Sequence, residues 1–206
     1  MAELAGFLSR PAVEVAPDLL GAELSCGGVT VRLTEVEAYA GPADPGSHAF
    51  RRTPRSAIMY GPPGFLYCYV AYGLHVCANV VTGAEGDAGA VLLRAGEVVG
   101  GVDLARRRRH GVAEHQLARG PALLCRSLGL DLSHNGTDLA SGPVRLVPPA
   151  PSSAPSSAPS SGRIRTGPRV GLRHAAEAPW RFWIEGDPSV SAYRPAVART
   201  PRRPVS

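Results

Sequence analysis

The stretch Ala22-Glu-Leu-Ser-Cys26-Gly-Gly28-Val29-Thr-Val-Arg-Leu-Thr-Glu-Val-Glu37-Ala-Tyr39 organises the chain. Gly27-Gly28 is a two-residue connector of the kind that closes hairpins, because the favoured turn needs positive φ at its central residues. Two strands are therefore predicted, Ala22–Cys26 and Val29–Tyr39. In the second, Val29, Val31 and Leu33 alternate with Thr30, Arg32 and Thr34. The two-residue period then carries Glu35, Glu37 and Tyr39 onto the same apolar row. Carboxylates on a core-facing row need either a buried cation beside them or a chemical task. Both readings of Glu37 stay open at this level.

On the N-terminal side, residues 1–20 read as a lead-in, with Pro11-Ala-Val-Glu-Val and Pro17-Asp-Leu-Leu opening turns or a brief helix. On the C-terminal side, residues 40–64 form a loop rich in Gly, Pro, Ser and Arg that contains His48. Loops of that length inside a compact domain are functional or disordered as a rule. Phe65–Val81 is β-rich and holds Tyr67, Tyr69 and Tyr72, with Gly73 marking a turn that puts Tyr72 near a hairpin tip. Gly89–Ala95 reads as a strand carrying Arg94 near its end. Val98–His110 suits a helix ending in four arginines, and Gly120–Gly129 has proline near its start and glycine at its end. The three Pro-Ser-Ser repeats within about 148–162 predict a flexible surface loop, and about 196–206 a flexible tail. Trp180-Arg-Phe-Trp-Ile-Glu185 alternates as a strand should. Strands and helices intermingle without regular βαβ units, so the fold class is α+β, one domain over residues 1–206.

Composition narrows the function. No apolar run approaches the roughly 20 residues that cross a bilayer. The start of the chain lacks the charged-then-apolar pattern of a secretory signal, so a cytoplasmic protein is expected. Cys26, Cys68, Cys77 and Cys125 form no C-x-x-C pair, so four packed free thiols are expected, with no metal and no cofactor. The formal net charge of +5 suits a polyanionic partner. All 22 cationic residues are arginine. Without lysine, a side-chain Schiff base is impossible, so any sugar chemistry runs through water, another nucleophile or the terminal amine.

Several segments together resemble the alkyladenine (3-methyladenine) DNA glycosylases of the methylpurine type. They are Thr34-Glu-Val-Glu-Ala-Tyr39-Ala-Gly-Pro-Ala-Asp with His48, Thr53-Pro-Arg, Pro63-Gly-Phe-Leu-Tyr67-Cys-Tyr69-Val-Ala-Tyr72-Gly, Asn79, Gly89-Ala-Val-Leu-Leu-Arg94-Ala, Arg119-Gly-Pro-Ala-Leu-Leu-Cys125 and Arg169-Val-Gly. The resemblance covers about residues 11–195 and leaves out mainly the ends and the Pro-Ser segment. It implies a curved, mainly antiparallel sheet flanked by helices and carrying a protruding β-hairpin.

The resemblance also implies roles. Glu37 would be the general base for the water that attacks the sugar, with Arg94 and the Val170 carbonyl helping to hold that water. Tyr39, His48 and Tyr69 would be the walls between which an extruded base stacks. Tyr72 would be the wedge left in the duplex, and Asn79 would crowd the exocyclic amino group of guanine. Arg51, Arg52 and Arg55 are candidates for phosphate contacts, as is the run 106–109, which reads equally well as a solvated helix end. The expected partner is double-stranded DNA with alkylated or deaminated purines, the expected state a monomer, and the expected product an abasic site for base excision repair. An alkylated purine already carries positive charge and leaves without much protonation, so one carboxylate suffices. A neutral lesion such as hypoxanthine needs a proton or a hydrogen bond, which falls to His48.

Two other readings use the same residues. A nucleoside hydrolase would share the chemistry but need neither wedge nor basic surface. A non-catalytic nucleic-acid binding module would leave Glu37 structural. His75 stands where another aromatic residue is expected, which bears on the shape of the hairpin.

Overall fold

The computed structural model describes residues 2–149 and 162–196. The Pro-Ser repeats and the tail beyond Ala196 lie outside the described residues. The lead-in forms two short helices, α1 (Ala2–Leu8) and α2 (Ala12–Asp18). The predicted hairpin follows as β1 (Glu23–Cys26) and β2 (Val29–Tyr39). Gly27 and Gly28 have φ of 52° and 80°, the left-handed pair such a turn requires. Then come β3 (Leu66–Ala71), β4 (His75–Thr82), β5 (Gly89–Gly100), α3 (Val102–Arg108), β6 (Ala118–Arg119), α4 (Pro121–Leu128), β7 (Val144–Val147), β8 (Ile164–Gly167) and β9 (Arg181–Ile184).

All strand pairings are antiparallel and join one curled sheet in the order β3-β4-β5-β2-β1-β7. The class is α+β, as expected. β2 is the hub. One edge pairs along its length with β5, while the other is divided, β1 taking Val29–Arg32 and β9 taking Glu35–Glu37. The main core lies between the sheet and the helices. Val15 and Leu19 from the α2 region and Leu124, Cys125 and Leu128 from α4 pack with Val31, Leu33, Val36 and Leu93. α4 is delimited as its sequence predicts, with Pro121 at its first turn and Gly129 at φ 73° closing its end. All four cysteines are free and buried.

Two expectations are corrected. The predicted strand Gly89–Ala95 continues to Gly100, and the helix begins only at Val102, because Val98 and Gly100 pair with Val31 and Thr30 of β2. The alternation of β2 also does not run unbroken to Tyr39. Its pairing with β5 slips between Leu33 and Glu35 and again between Glu35 and Val36. Leu33 pairs with Gly96 and Val36 with Leu93, so each strand advances three residues where two would keep the same face. Val36 and Ala38 therefore join Val29, Val31 and Leu33 in the core. Glu35, Glu37 and Tyr39 belong to the opposite face.

Candidate active site

That opposite face borders a cavity of about 460 Å³, ample for a small organic group. Glu37, Tyr39, His48, Tyr69, Tyr72, Asn79, Arg94 and Val170 all line it, so eight positions separated by up to 133 residues converge. Arg55 reaches its rim, whereas Arg51 and Arg52 are not among its lining residues.

Glu37 exposes no surface to solvent. A buried carboxylate needs donors, and three are present. Oε1 accepts the Val170 N–H at 2.7 Å and faces Arg94 Nη1 at 3.3 Å, while Oε2 accepts the Tyr39 hydroxyl at 2.9 Å. Val170 thus holds the carboxylate through its N–H. A carboxylate offers about four acceptor positions, so one remains, on Oε2. Burial, and then the charge of Glu37, raise the Tyr39 hydroxyl well above the usual phenol range, which keeps it a donor.

Arg94 serves two carboxylates. Its Nε donates to Glu35 Oε1 at 2.7 Å while Nη1 faces Glu37. Glu35 is itself fully buried and also accepts Arg181 Nε at 2.7 Å, the Ser191 N–H at 2.6 Å and the Ser191 hydroxyl at 2.9 Å. Burial alone would push the Glu35 carboxyl up, but Arg94 and Arg181 outweigh it and hold the carboxyl below its ordinary range.

The walls are fixed from the loop and from β3. His48 sits edge-on to Tyr69, with ring centroids 4.5 Å apart, and its Nδ1 lies 3.0 Å from the Tyr67 hydroxyl. Burial, reinforced by the nearby Arg55 charge, lowers the His48 imidazole to about 4. His48 is therefore neutral near pH 7. A hydrogen bond therefore comes more readily from His48 there than a proton. Asn79 is buried and anchored, its Nδ2 donating to the Tyr67 carbonyl at 3.1 Å. Arg55 lies 5.0 Å above the Tyr69 ring and Arg52 4.9 Å above the Tyr60 ring.

A second buried ion pair ties the loop to the strand end. Arg169 and Asp44 have no exposed side-chain surface. The guanidinium binds both Asp44 oxygens, Nη1 to Oδ2 at 2.5 Å and Nη2 to Oδ1 at 2.8 Å, and Nη1 also donates to the Ala38 carbonyl at 3.0 Å. It lies 4.7 Å from the Tyr39 ring centroid and 5.0 Å from that of Trp180. One side chain thus pins the loop start, the strand next to Glu37, a cavity wall and, through the chain, Val170. Gly41 allows the loop to leave β2 here, with φ 61° and no room for a Cβ, which would meet the Ala88 carbonyl at 2.1 Å.

The hairpin of β3 and β4 ends in Tyr72, Gly73 and Leu74. Tyr72 is 90% exposed with φ 52°, a costly conformation for a tyrosine, and Leu74 is 82% exposed. The arginine run behaves as a helix end. Arg106 pairs with Asp103 and Glu114, Arg108 donates to the Ser127 and Gly27 carbonyls, and Arg109 to those of Leu117 and Gln116.

Sequence reasoning missed Glu35, Arg181 and Ser191 as a group, and the Arg169–Asp44 pair. Glu35 carried a visible signal, since it shares the row of Glu37. Arg169 and Asp44 stand inside matched segments, but nothing in their spacing predicts that they meet.

A buried, multiply held carboxylate under an aromatic-walled cavity, beside a projecting aromatic, is what hydrolysis of a base–sugar bond on an extruded nucleotide requires. The class so defined is a DNA glycosylase. A family model described as methylpurine-DNA glycosylase matches residues 6–188, and the chain belongs to that family. A protein of Frankia casuarinae named "Putative 3-methyladenine DNA glycosylase" is 50% identical, over 96% of this chain and 93% of its own length. Proteins of the same name from Streptomyces avermitilis and Cutibacterium acnes are 48% and 50% identical, over 96% and 91% of this chain and 92% and 98% of their own lengths. The chain is a DNA repair glycosylase of the monofunctional, hydrolytic kind. Among the described residues, no helix is long and apolar enough to cross a membrane.

Proposed function

We propose that the protein extrudes alkylated or deaminated purines from duplex DNA and that Glu37 activates the water that replaces the base at the sugar. The carrying observation is the coordination of Glu37: three donors orient its carboxylate and leave one acceptor position on Oε2. Water in that position gives its proton to Glu37 as its oxygen attacks the sugar carbon, and the base departs with the bonding electrons. The same negative charge stabilises the oxocarbenium-like sugar as the bond breaks.

Tyr39, His48 and Tyr69 stack the extruded base, Tyr72 fills its place in the duplex, and Asn79 discriminates against guanine. Neutral His48 suits a cationic lesion, since it adds no repulsion. Arg51, Arg52 and Arg55 contact phosphates, which fixes the register without reading sequence. Phosphate contact by these residues makes affinity fall steeply with salt. The enzyme acts as a monomer, as one glycosylase domain, in the cytoplasm where bacterial DNA lies. The aromatic wedge and the basic surface favour duplex DNA over free nucleosides, and the anchored carboxylate favours catalysis over binding alone.

The test is base release from a duplex oligonucleotide carrying one hypoxanthine or one alkylated adenine. Wild type is expected to release the base, and Glu37→Gln to lose about 10²–10⁴-fold in rate while still binding the duplex. Undiminished release by Glu37→Gln would remove Glu37 from the chemistry. Release from free nucleosides but not from duplex would favour the nucleoside hydrolase.

A further inference from the structure

We propose that Glu35 is a positioning residue for base release: it draws Arg94 into a bridge between two carboxylates and so prevents Arg94 from closing on Glu37 alone. The inference rests on the reading of Glu37 as the base.

The geometry of Arg94 carries it. Full-strength bonds between a guanidinium and a carboxylate run about 2.7–2.9 Å. Arg94 gives its short contact, 2.7 Å through Nε, to Glu35, and a longer one of 3.3 Å through Nη1 to Glu37. Glu35 does not need Arg94 for neutralisation, because Arg181 binds the same Oε1 atom at 2.7 Å. Ser191 supplies two further donors, and its backbone carbonyl accepts Arg181 Nη2 at 2.8 Å, which holds Arg181 in place. Glu35 thus has more positive partners than its charge requires, and Glu37 has fewer.

The other groups around Glu37 do not provide this effect. Tyr39 on β2 and the Val170 N–H donate neutral hydrogen bonds. Tyr69 on β3 and Cys77 on β4 are held neutral, burial raising both. Arg169 is committed to Asp44, and Arg181, opposite Glu37 in the β2–β9 register, is committed to Glu35. Arg94 is the cation within reach of both carboxylates among the described residues. Without the Glu35 charge, Arg94 turns wholly to Glu37, and an ion-paired carboxylate is a poorer acceptor for the proton of water.

The experiment is the pH dependence of single-turnover release of 3-methyladenine from methylated duplex DNA. This lesion is already cationic, so the acid limb reports on the base rather than on the leaving group. Glu35→Gln is expected to move the acid-side inflection down by about 1 pH unit or more and to lower the plateau rate severalfold. Glu35→Asp, which keeps the charge, is expected to return the inflection toward wild type. Glu35→Gln leaves the buried Arg181 without a carboxylate, so Glu35→Gln/Arg181→Gln serves as the second variant and is expected to show the same displacement. A folded Glu35→Gln or double variant with an unmoved inflection overturns the proposal, whatever its plateau. Failure of both variants to fold makes Glu35 a folding residue and also overturns it. Undiminished release by Glu37→Gln in the same assay would instead break the underlying reading of the base, a separate result.

Discussion

The floor of the cavity and the tip of the β3–β4 hairpin lie on one site and are built in opposite ways. At the floor, Glu37 and Arg94 join buried Glu35 and Arg181 in one bonded group, and Arg169 and Asp44 form a second buried pair. At the tip, Tyr72 and Leu74 project into solvent from a two-strand ribbon. The floor has to hold charges to within tenths of an ångström before the substrate arrives, because reorganising them during the reaction would cost rate. On the proposed reading the tip only has to enter a duplex, for which an exposed aromatic on a narrow support is sufficient. The floor should therefore couple stability to activity, and the tip should not.

Asp44→Ala is the strongest challenge to this division. It leaves the Arg169 guanidinium buried without its carboxylate, and breaking such a pair costs on the order of 3–5 kcal/mol. Denaturant unfolding should register that loss, and base release should fall with it. A loss under about 1 kcal/mol, in the range of exposed pairs, would mean that the floor tolerates an unpaired charge. Tyr72→Gly probes the other side. The backbone strain at φ 52° disappears, so the melting temperature should hold or rise. Release from duplex should nonetheless fall by about tenfold, in line with stacking worth ~1–3 kcal/mol, while release from single strands changes little. A Tyr72→Gly protein that melts much earlier would show the tip to be structural.

The smallest effect concerns His48. Its folded value of about 4 lies below its ordinary 6.5, so the native state binds fewer protons than the unfolded chain. Its contribution to stability is then complete above about 6.5 and declines as pH falls from there toward 4. NMR titration of the imidazole should give a midpoint near 4, with a slight fall in melting temperature between pH 7 and pH 5. A midpoint near 6.5 would leave His48 available as a proton donor.

The two regions also differed in how far the sequence disclosed them. The tip was legible, since Tyr72 before Gly73 between two β-rich runs has one natural reading. The hairpin of β1 and β2 and the helix α4 were equally plain, because turn glycines and a terminal proline act locally. The floor was legible only as an anomaly. Carboxylates in an apolar row demanded an explanation, but the explanation lies in partners at positions 94, 170, 181 and 191, which local patterns cannot bring together. The extension of β5 to Gly100 was hidden for the same reason, being set by pairing with β2 rather than by the residues themselves.

The matched slips in β2 and β5 give the site an arithmetic of parity. Three-residue steps, Leu33 to Val36 on one strand and Gly96 to Leu93 on the other, turn the acidic half of β2 away from the interior. Deleting Thr34 would bring Leu33 and Val36 to an even spacing on β2 while β5 keeps its three-residue step, so the two strands would fall out of register at Glu37 and Arg94, while nothing in the composition of the chain would look amiss. The strand is therefore far less forgiving of changes in length than of changes in identity. Any shortened or lengthened version of β2 that still works should carry a compensating change across the ladder, near Arg94.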